Sequence, residues 1–162
     1  MPTLEVLDAF TDKLTDDGAS VVRCAQDTLS QTVIGLIGRR GWDRVVSVRR
    51  GRVGHPSVLG DDPQLSTEEL ATIEAVITEV AAGAAQEGLV VLDHGPGQGR
   101  PGLTLLPGHH VCVVRSNQVV DRLENLELDS TSPITILGGP TGGDEGAGNV
   151  HRPGALTVIL VG

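Results

Sequence analysis

The chain is poor in aromatic side chains and in lysine. Among its 162 residues there is one phenylalanine, one tryptophan and no tyrosine. This composition argues against base stacking or a flavin sandwich, and it requires a core of Val, Leu, Ile and Ala. Lys13 is the only lysine, which argues against Schiff-base chemistry but leaves open the bidentate recognition of a carboxylate or phosphate by arginine.

The sequence also lacks a basic surface and a long apolar run. Its formal net charge is −9, which argues against nucleic-acid and anionic-membrane partners because both require positive charge. No apolar run approaches the roughly 20 residues of a membrane helix, and no basic segment followed by an apolar core opens the chain. We therefore expect a soluble, cytoplasmic protein, and the oligomeric state, a homo-oligomer included, stays open.

Cysteine is scarce and shows no metal-binding spacing. Cys24 and Cys112 lie in apolar, strand-like segments without a CxxC motif, which favours buried, reduced thiols over a disulfide, a metal site or catalysis. His109 and His110 are adjacent and would point to opposite faces of a strand, so they are poorly placed to bind one metal ion. No iron–sulfur pattern is present, and we expect neither a metal nor a cofactor.

Alternating helix-like and strand-like segments predict the fold class. Helices are expected over residues 3–16, from 27 or 28 to 41, over 66–73 behind a capping box of Ser66 and Glu69, and after Ser116. Strands are expected over residues 19–23, 44–48, 90–92, 110–115, 134–137 and 156–161. Residues 74–80 favour a strand over the end of a helix, whereas 81–88 are typical of a turn. This order indicates a single α/β domain over residues 1–162, with a largely parallel sheet flanked by helices.

A glycine-rich loop follows the apolar run at 90–92. Glycines reach backbone conformations closed to other residues and let N–H groups converge on an anion, so the loop predicts a ligand site. The alternative is a tight strand exit that merely requires positive φ. A Walker loop is excluded because no Gly-Lys-Ser/Thr follows, and Pro101 and Pro107 argue against the helix that a dinucleotide fingerprint needs. The candidate ligand-binding residues in this loop are His94, Gly95, Gly97, Gln98, Gly99 and Arg100.

A second glycine-rich loop, residues 138–154, brings acid, base and cation together. In the functional interpretation Asp144 or Glu145 binds or abstracts a proton and His151 orients or shuttles it, because histidine titrates near neutral pH. In the alternative, the segment is an acidic surface loop whose histidine caps a turn. If the strands before both loops run parallel, both loops emerge at the carboxyl edge of one sheet and enclose one cavity, with Thr141 as a further ligand-binding candidate.

Arginines crowd the start of the loop at residues 50–65. Arg49, Arg50 and Arg52 are interpreted as part of a solvated loop, because exposed arginines cost little free energy in water. We assign this cluster no function from the sequence.

Three segments carry a family resemblance. They are LVVLDHGPGQGRPGLTLLPGHHVCVVRSNQVV at 89–120, PITILGGP at 133–140 and VHRPGALTVILV at 150–161. On these motifs the chain resembles the LUD domain family, in the lactate utilization protein C group. The resemblance implies a fold similar to the NagB, ribose-5-phosphate isomerase and CoA-transferase superfamily. It also implies a role in the oxidation of lactate to pyruvate beside iron–sulfur partner proteins.

The chain departs from the family pattern in two loops. The family usually carries an Ala-Glu-Thr-Gly-Thr turn before the LVVLD strand, where this chain has Ala-Gln-Glu-Gly-Leu at 85–89. Gln86 stands in place of the family acid, and Glu87 could replace that acid only if the turn shifted. The C-terminal loop is shorter than in the family, and Arg152 replaces a glycine there. The catalytic candidates are Glu87, Asp144 and His151.

The leading hypothesis is an accessory protein of lactate oxidation that binds a small anion between the two glycine-rich loops. Gly97, Gln98 and Gly99 would donate hydrogen bonds, and Arg100 would balance the charge of the anion. A second hypothesis, motivated by the altered turn, is a catalytically silent binding or interaction module of the same fold. A third, an isomerase or transferase acting on a sugar phosphate or a CoA thioester, rests on fold analogy alone.

Overall fold

The computed structural model describes residues 2–50, 54–128, 133–143 and 149–162. The α-helices are Leu4–Asp16 (α1), Leu29–Arg40 (α2), Thr67–Leu70 (α3) and Pro101–Leu105 (α4), and 3₁₀ turns cover Gln26–Thr28, Ser116–Gln118 and Leu123–Asn125. The strands are Ser20–Cys24 (β1), Val45–Ser47 (β2), Val58–Leu59 (β3), Ala75–Glu79 (β4), Ala82–Ala84 (β5), Leu89–Leu92 (β6), His109–Arg115 (β7), Val119–Val120 (β8), Thr135–Gly138 (β9), Val150–His151 (β10) and Ala155–Val161 (β11). The predictions of α1, α2, β1, β2, β4, β6, β7, β9 and β11 are confirmed.

The larger sheet has six strands in the order β1-β11-β7-β4-β2-β3. Every neighbouring pair in it is parallel. The central strands β4, β7 and β11 are buried along almost their whole length, as continuous apolar runs predict for strands covered on both faces. The predicted α/β fold with a largely parallel sheet is therefore confirmed, and the carboxyl ends of these strands meet at one edge.

The smaller sheet has five strands in the order β10-β9-β6-β5-β8, and the sequence-based prediction does not contain it. In this sheet β6 is antiparallel to both of its neighbours, β5 and β9. The predicted turn at 81–88 is wrong in its first half, where β5 lies. Its small residues fit beneath α1, since a Cβ added to Gly83 would lie 2.7 Å from Phe10 Cζ. The small residues that this close packing requires in β5 are the same residue types that favour turns, which explains the wrong prediction.

Helices cover both faces of the larger sheet. On one face α1 contributes its buried side chains Leu7, Phe10 and Leu14 to a core that it shares with both sheets. On the opposite face α2 packs with its own buried stripe. Neighbouring residues of β7 divide accordingly, because Cys112 belongs to the core beneath α1 and Val113 to the core beneath α2. This alternation is the period of two expected for a strand.

Two local predictions between residues 100 and 126 are wrong. The chain forms the short helix α4 in spite of Pro101. Proline is tolerated at the first helical position because the N–H group that it lacks has no acceptor within the helix there. Ser116 caps no α-helix, and its hydroxyl instead faces the carbonyl oxygens of Val161 and Gly162. The segment that follows forms two 3₁₀ turns around β8, which pairs with β5.

The C-terminus of α2 gives a first test of the fold. Gly41 has a φ of +66°, which strains any L side chain. We expect Gly41→Ala to lower the free energy of unfolding by about 1 kcal/mol, although no atom lies within 4 Å of the added Cβ. Gly38→Ala is the matched control, because Gly38 is an exposed position within α2, and we expect it to raise that free energy by up to about 1 kcal/mol. Urea denaturation measures both, and a loss in Gly38→Ala would contradict this account.

Candidate functional site

The two glycine-rich loops leave the smaller sheet at opposite ends. β6 pairs antiparallel with β9, so that Leu92 lies opposite Thr135 and Leu89 lies opposite Gly138. The first loop therefore starts where β9 begins, and the second loop starts where β9 ends. The expectation that both loops emerge at one carboxyl edge and enclose one cavity is wrong. Only the last residues of the second loop return toward the first, because β10 runs parallel to β9.

The first loop is held by its own side chains. Gln98 is buried, and its Oε1 accepts the backbone N–H groups of Asp93 and His94. Its Nε2 donates to Asp93 Oδ1 at 2.6 Å, and the N–H of Gly95 donates to the same oxygen at 3.1 Å. The Gln98 amide, predicted to bind a ligand, thus makes its hydrogen bonds within the loop.

Two glycines let this loop pack closely against β4. Gly97 and Gly99 have φ values of +79° and +76°, which favour glycine. The Gly97 carbonyl accepts the N–H of Glu79 at 2.8 Å, and a Cβ at Gly97 would collide with the Glu79 carboxylate. The left-handed conformation expected for a tight strand exit is therefore present.

Arg100 ties the end of the first loop to the segment at 61–65. Its Nε donates to Asp61 Oδ2 at 2.8 Å, and its Nη2 donates to Asp61 Oδ1 at 3.1 Å and to the Leu65 carbonyl at 2.8 Å. The hydrogen bonds from Arg100 lower the pKa of Asp61. The charge of Arg100 is therefore compensated within the chain, where the sequence predicted compensation by a ligand.

Glu87 and Thr141 lie at the other end of the smaller sheet, beside α1. Both carboxylate oxygens of Glu87 accept the N–H of Leu123 at 3.1 Å, and the N–H of Thr141 donates to the Asp17 carbonyl at 2.8 Å. A cavity of about 70 Å³ here is lined by Lys13, Asp17, Gln86, Glu87, Leu89, Gly143, Val150 and Arg152. Asp144 and Glu145 lie outside the described residues.

Thr135 links two candidates from different loops, His94 and His151. His94 Nε2 lies 2.7 Å from Thr135 Oγ1, and His94 Nδ1 lies 2.8 Å from the Gly99 carbonyl oxygen. Thr135 in turn lines a wide cavity of about 430 Å³ together with His151. Burial lowers the pKa of His151, so this imidazole is neutral at pH 7.

A charged cluster at the carboxyl edge of the larger sheet joins three strands. Glu79 ends β4 and is 4% exposed. Arg50 donates from Nε and Nη2 to the two carboxylate oxygens of Glu79 at 3.0 Å each, and from its backbone N–H at 2.7 Å. Arg115 ends β7 and donates to Glu79 at 3.2 Å. We call Arg49, Arg50, Arg115 and Glu79 the arginine edge.

The arginine edge carries excess positive charge. Burial alone would raise the pKa of Glu79, but hydrogen bonds from Arg50 and the charges of Arg50 and Arg115 outweigh burial and lower that pKa. Burial, and then the charge of Arg115, lower the pKa of Arg49 against the opposing attraction of Glu79. Three positive charges and one negative charge leave an excess of +2. Arg49 Nε and Ser47 Oγ are buried and have no hydrogen-bond partner among the residues that the structure describes.

Sequence reasoning missed this cluster, although a signal for it was present. Arg50 is exposed, as expected for a solvated loop, but that interpretation did not include its ion pair with the buried carboxylate of Glu79; Arg52 lies outside the described residues. Glu79 and Arg115 each end a buried parallel strand, and the arginines follow β2. Since ligands tend to bind beyond the carboxyl ends of parallel strands, applying that rule to β2, β4 and β7 would have found the edge.

Two buried histidines lie on opposite sides of β7, as predicted. His109 Nε2 is 2.8 Å from Thr157 Oγ1, and its ring stacks edge-on against Trp42 with 4.7 Å between ring centroids. His110 Nε2 is 2.8 Å from Thr78 Oγ1. Burial lowers the pKa of His109 to about 4 and that of His110 to about 3. Both are therefore uncharged at neutral pH.

The cysteines and the acidic side chains form no metal centre in the described ranges. There, no group of three or more His, Cys, Asp or Glu side chains is placed to hold a metal ion. Cys24 and Cys112 are both free thiols. Burial raises the pKa of Cys112, so that its thiol stays protonated and unreactive.

Comparison with known proteins identifies the family. The sequence profile of the LUD domain matches residues 61–161. The chain belongs to the LUD domain family. It is 34% identical over 174 residues to a protein of Deinococcus radiodurans named "Lactate utilization protein C", a match that covers 98% of this chain and 80% of the relative. It also resembles a crystal structure of a DUF162 family protein from Deinococcus radiodurans, with a TM-score of 0.82 and 29% identity, covering 100% of this chain and 99% of that chain.

The altered turn of this LUD domain lies against the segment at 121–123. Gln86 Nε2 donates to Asp121 Oδ1 at 3.1 Å, and Glu87 accepts from Leu123. Both side chains thus hold the turn to its neighbour. In the described part of this LUD domain, no helix has both the length and the apolar character needed to span a bilayer.

Proposed function

We propose that this LUD domain protein takes part in the oxidation of lactate to pyruvate, as an accessory partner of iron–sulfur proteins, and that it holds a small carboxylate at the arginine edge. The relative named lactate utilization protein C supports the role. The observation that carries the ligand class is one buried carboxylate that pairs with Arg50 and Arg115 and interacts with the charge of Arg49, in a chain whose net charge is −9. This proposal leaves Glu87 and His151 outside the ligand site.

A monocarboxylate fits the remaining hydrogen-bonding capacity of the arginine edge. Arg49 Nε and Ser47 Oγ are buried without partners in the described residues, and a buried donor gains from any acceptor that reaches it. Arg115 gives one Nη to Glu79, whereas a guanidinium offers several donors in a planar fork. A carboxylate beside a hydroxyl or carbonyl oxygen, as in lactate and pyruvate, matches that fork.

Binding of pyruvate and of lactate to the purified chain tests the ligand assignment. We expect Arg115→Gln and Arg49→Gln each to raise the dissociation constant for pyruvate and lactate by about tenfold or more, because each removes a charge-assisted hydrogen bond. Arg44→Gln is the matched control, since Arg44 is exposed at the other end of β2 and donates to Thr72. Isothermal titration calorimetry measures the dissociation constants of the unmodified chain and of the three variants. If the Arg115 and Arg49 variants bind with the same affinity as the unmodified chain, the assignment of the ligand site to the arginine edge is wrong.

Turnover with the partner proteins tests the accessory role separately. We expect this protein to raise lactate oxidation when it is added to its iron–sulfur partners with lactate and an electron acceptor, and Arg115→Gln to reduce that gain. Carboxylate binding without any change in turnover would favour the alternative, a catalytically silent binding module of the same fold.

A further inference from the structure

Thr135, His94 and the Gly99 carbonyl form a chain of short hydrogen bonds beside the wide cavity. Thr135 Oγ1 lies 2.7 Å from His94 Nε2, and His94 Nδ1 lies 2.8 Å from the Gly99 oxygen. We propose that Thr135 is a nucleophile, activated by His94, that cleaves activated esters of small carboxylic acids. A hydroxyl within reach of a base that a third group orients is the geometry of nucleophilic catalysis.

The Gly99 carbonyl determines which nitrogen of His94 carries the proton. A carbonyl oxygen only accepts, so His94 Nδ1 must donate to it at 2.8 Å. In the neutral imidazole Nε2 is then an acceptor, and the hydroxyl of Thr135 donates to it. The base therefore already receives the proton that a nucleophilic hydroxyl must lose. Gly99 acts as a positioning residue, because it orients the imidazole and touches no reacting atom.

The backbone at His94 is held in an unfavourable conformation. His94 is the one non-glycine residue with positive φ in the described ranges, at +60°. The side chain of Gln98 holds it there by accepting the His94 N–H at 3.2 Å, together with the two bonds of the imidazole. Such conformations are unfavourable for L side chains and cluster at functional sites. The strain aims the ring at Thr135.

The cavity beside Thr135 offers room for an acyl group and polar partners for its oxygen. Its volume is about 430 Å³, and Leu105, Ile134 and Val150 give it apolar walls. His151 lines the same cavity, and burial lowers its pKa, so a neutral imidazole N–H is available to a developing oxyanion. An acyl ester places its apolar and its polar parts against matching walls.

The reaction proceeds in two balanced steps. Thr135 Oγ attacks the acyl carbon while its proton passes to His94 Nε2, and the ester C–O bond then breaks as that proton moves to the departing alkoxide. An acyl-threonine and a free alcohol result. Water then attacks the acyl-threonine, with His94 accepting its proton and returning it to Thr135, and the carboxylic acid leaves. No oxidant or cofactor is consumed.

Hydrolysis of p-nitrophenyl acetate by the full chain tests the proposal. We expect Thr135→Val to lower the rate by about tenfold or more, and Thr135→Ser to retain it because serine keeps the hydroxyl. His94→Gln, which still offers an acceptor and a donor but no base, is expected to lose as much as Thr135→Val. Mass spectrometry of rapidly quenched samples should place the acetyl group on Thr135. An unchanged rate in Thr135→Val, or acetylation only at other residues, would overturn the proposal.

A second threonine–histidine pair supplies the matched control. Thr157 Oγ1 lies 2.8 Å from His109 Nε2, but Thr157 is 1% exposed and cannot reach an ester. Thr157→Val therefore removes a bond of the same kind without touching the cavity, and we expect the rate to stay within about twofold of the unmodified chain once thermal melting confirms folding. An equal loss in Thr157→Val and Thr135→Val would overturn the assignment.

Discussion

The free energy of unfolding is expected to fall by roughly 4 kcal/mol between pH 7 and pH 5, because two buried histidines resist protonation only in the folded chain. Their pKa values are lowered from 6.5 to about 4 for His109 and about 3 for His110. Below pH 6.5 these two histidines therefore bind protons in the unfolded chain but stay neutral in the folded chain. Stability from these histidines is complete above that pH and is lost as the pH falls toward the folded values, by about 1.4 kcal/mol per pH unit for each proton.

Urea denaturation at pH 7, 6 and 5 measures this loss, and the tryptophan next to His109 provides the readout. Trp42 is the only tryptophan, and its ring contacts His109, so its fluorescence reports on the folded core. We expect His110→Gln to halve the pH dependence between pH 6 and pH 5. His55→Gln is the control, because His55 lies in a loop, where it accepts the N–H of Ser57. A pH dependence in His110→Gln as steep as in the unmodified chain would contradict the explanation.

Replacing Glu79 by glutamine is expected to lower the free energy of unfolding by about 2 kcal/mol, because the buried carboxylate loses its charge-assisted hydrogen bonds, whereas Arg50 is exposed and its charge stays hydrated. The carboxylate receives three hydrogen bonds from Arg50 and one from Arg115. Without its charge the repulsion between Arg49 and Arg115 is no longer offset. Because the pKa of Glu79 lies below its ordinary 4.5, the unmodified chain loses this contribution only below about pH 4.5, whereas the loss from the histidines begins near pH 6.5.

Anions provide a second readout for this variant. We expect pyruvate or inorganic phosphate to restore part of the melting temperature of Glu79→Gln, because a bound anion replaces the missing charge and stabilises the folded state by mass action. Glu74→Gln is the matched control. Glu74 also accepts two backbone N–H groups, from Asp43 and Arg44, but in an exposed place, so its loss is expected to cost about 1 kcal/mol with no rescue by anions. Equal costs in both variants would show that burial and charge at Glu79 do not matter.

Local periodicity was sufficient to predict the main helices and the central strands. The buried stripe of α1 and the apolar runs of β7 and β11 follow directly from residue spacing, and the positive φ of Gly41 matches a helix end. The segment at 82–84 could not be predicted in this way, because its small residues are required by the contact of Gly83 with Phe10, which is 73 positions away in the chain. Propensity describes neighbours in sequence, whereas β5 is determined by packing in space.

The predicted site between the two glycine-rich loops depended on the relative direction of β6 and β9, which the spacing of apolar residues does not reveal. In the first loop the positive φ values of His94, Gly97 and Gly99 agree with the tight strand exit that the sequence left open, whereas ligand binding by either loop stays a prediction. Whether β6 and β9 run parallel or antiparallel decides if the loops meet, and both directions are compatible with the same apolar runs. Glu79 was overlooked because a single carboxylate at the end of a strand resembles a surface residue until the partner Arg50 is placed beside it.

The turn at 97–99 has a consequence for how variants of this protein are interpreted. Its first carbonyl receives the amide of Glu79, and its last carbonyl orients the ring of His94. A single mutation in these three positions would therefore be pleiotropic, disturbing both the proposed carboxylate site and the proposed ester cleavage. Genetic screens that recover alleles in this turn would report a shared scaffold, and only alleles outside it would separate the two proposed activities.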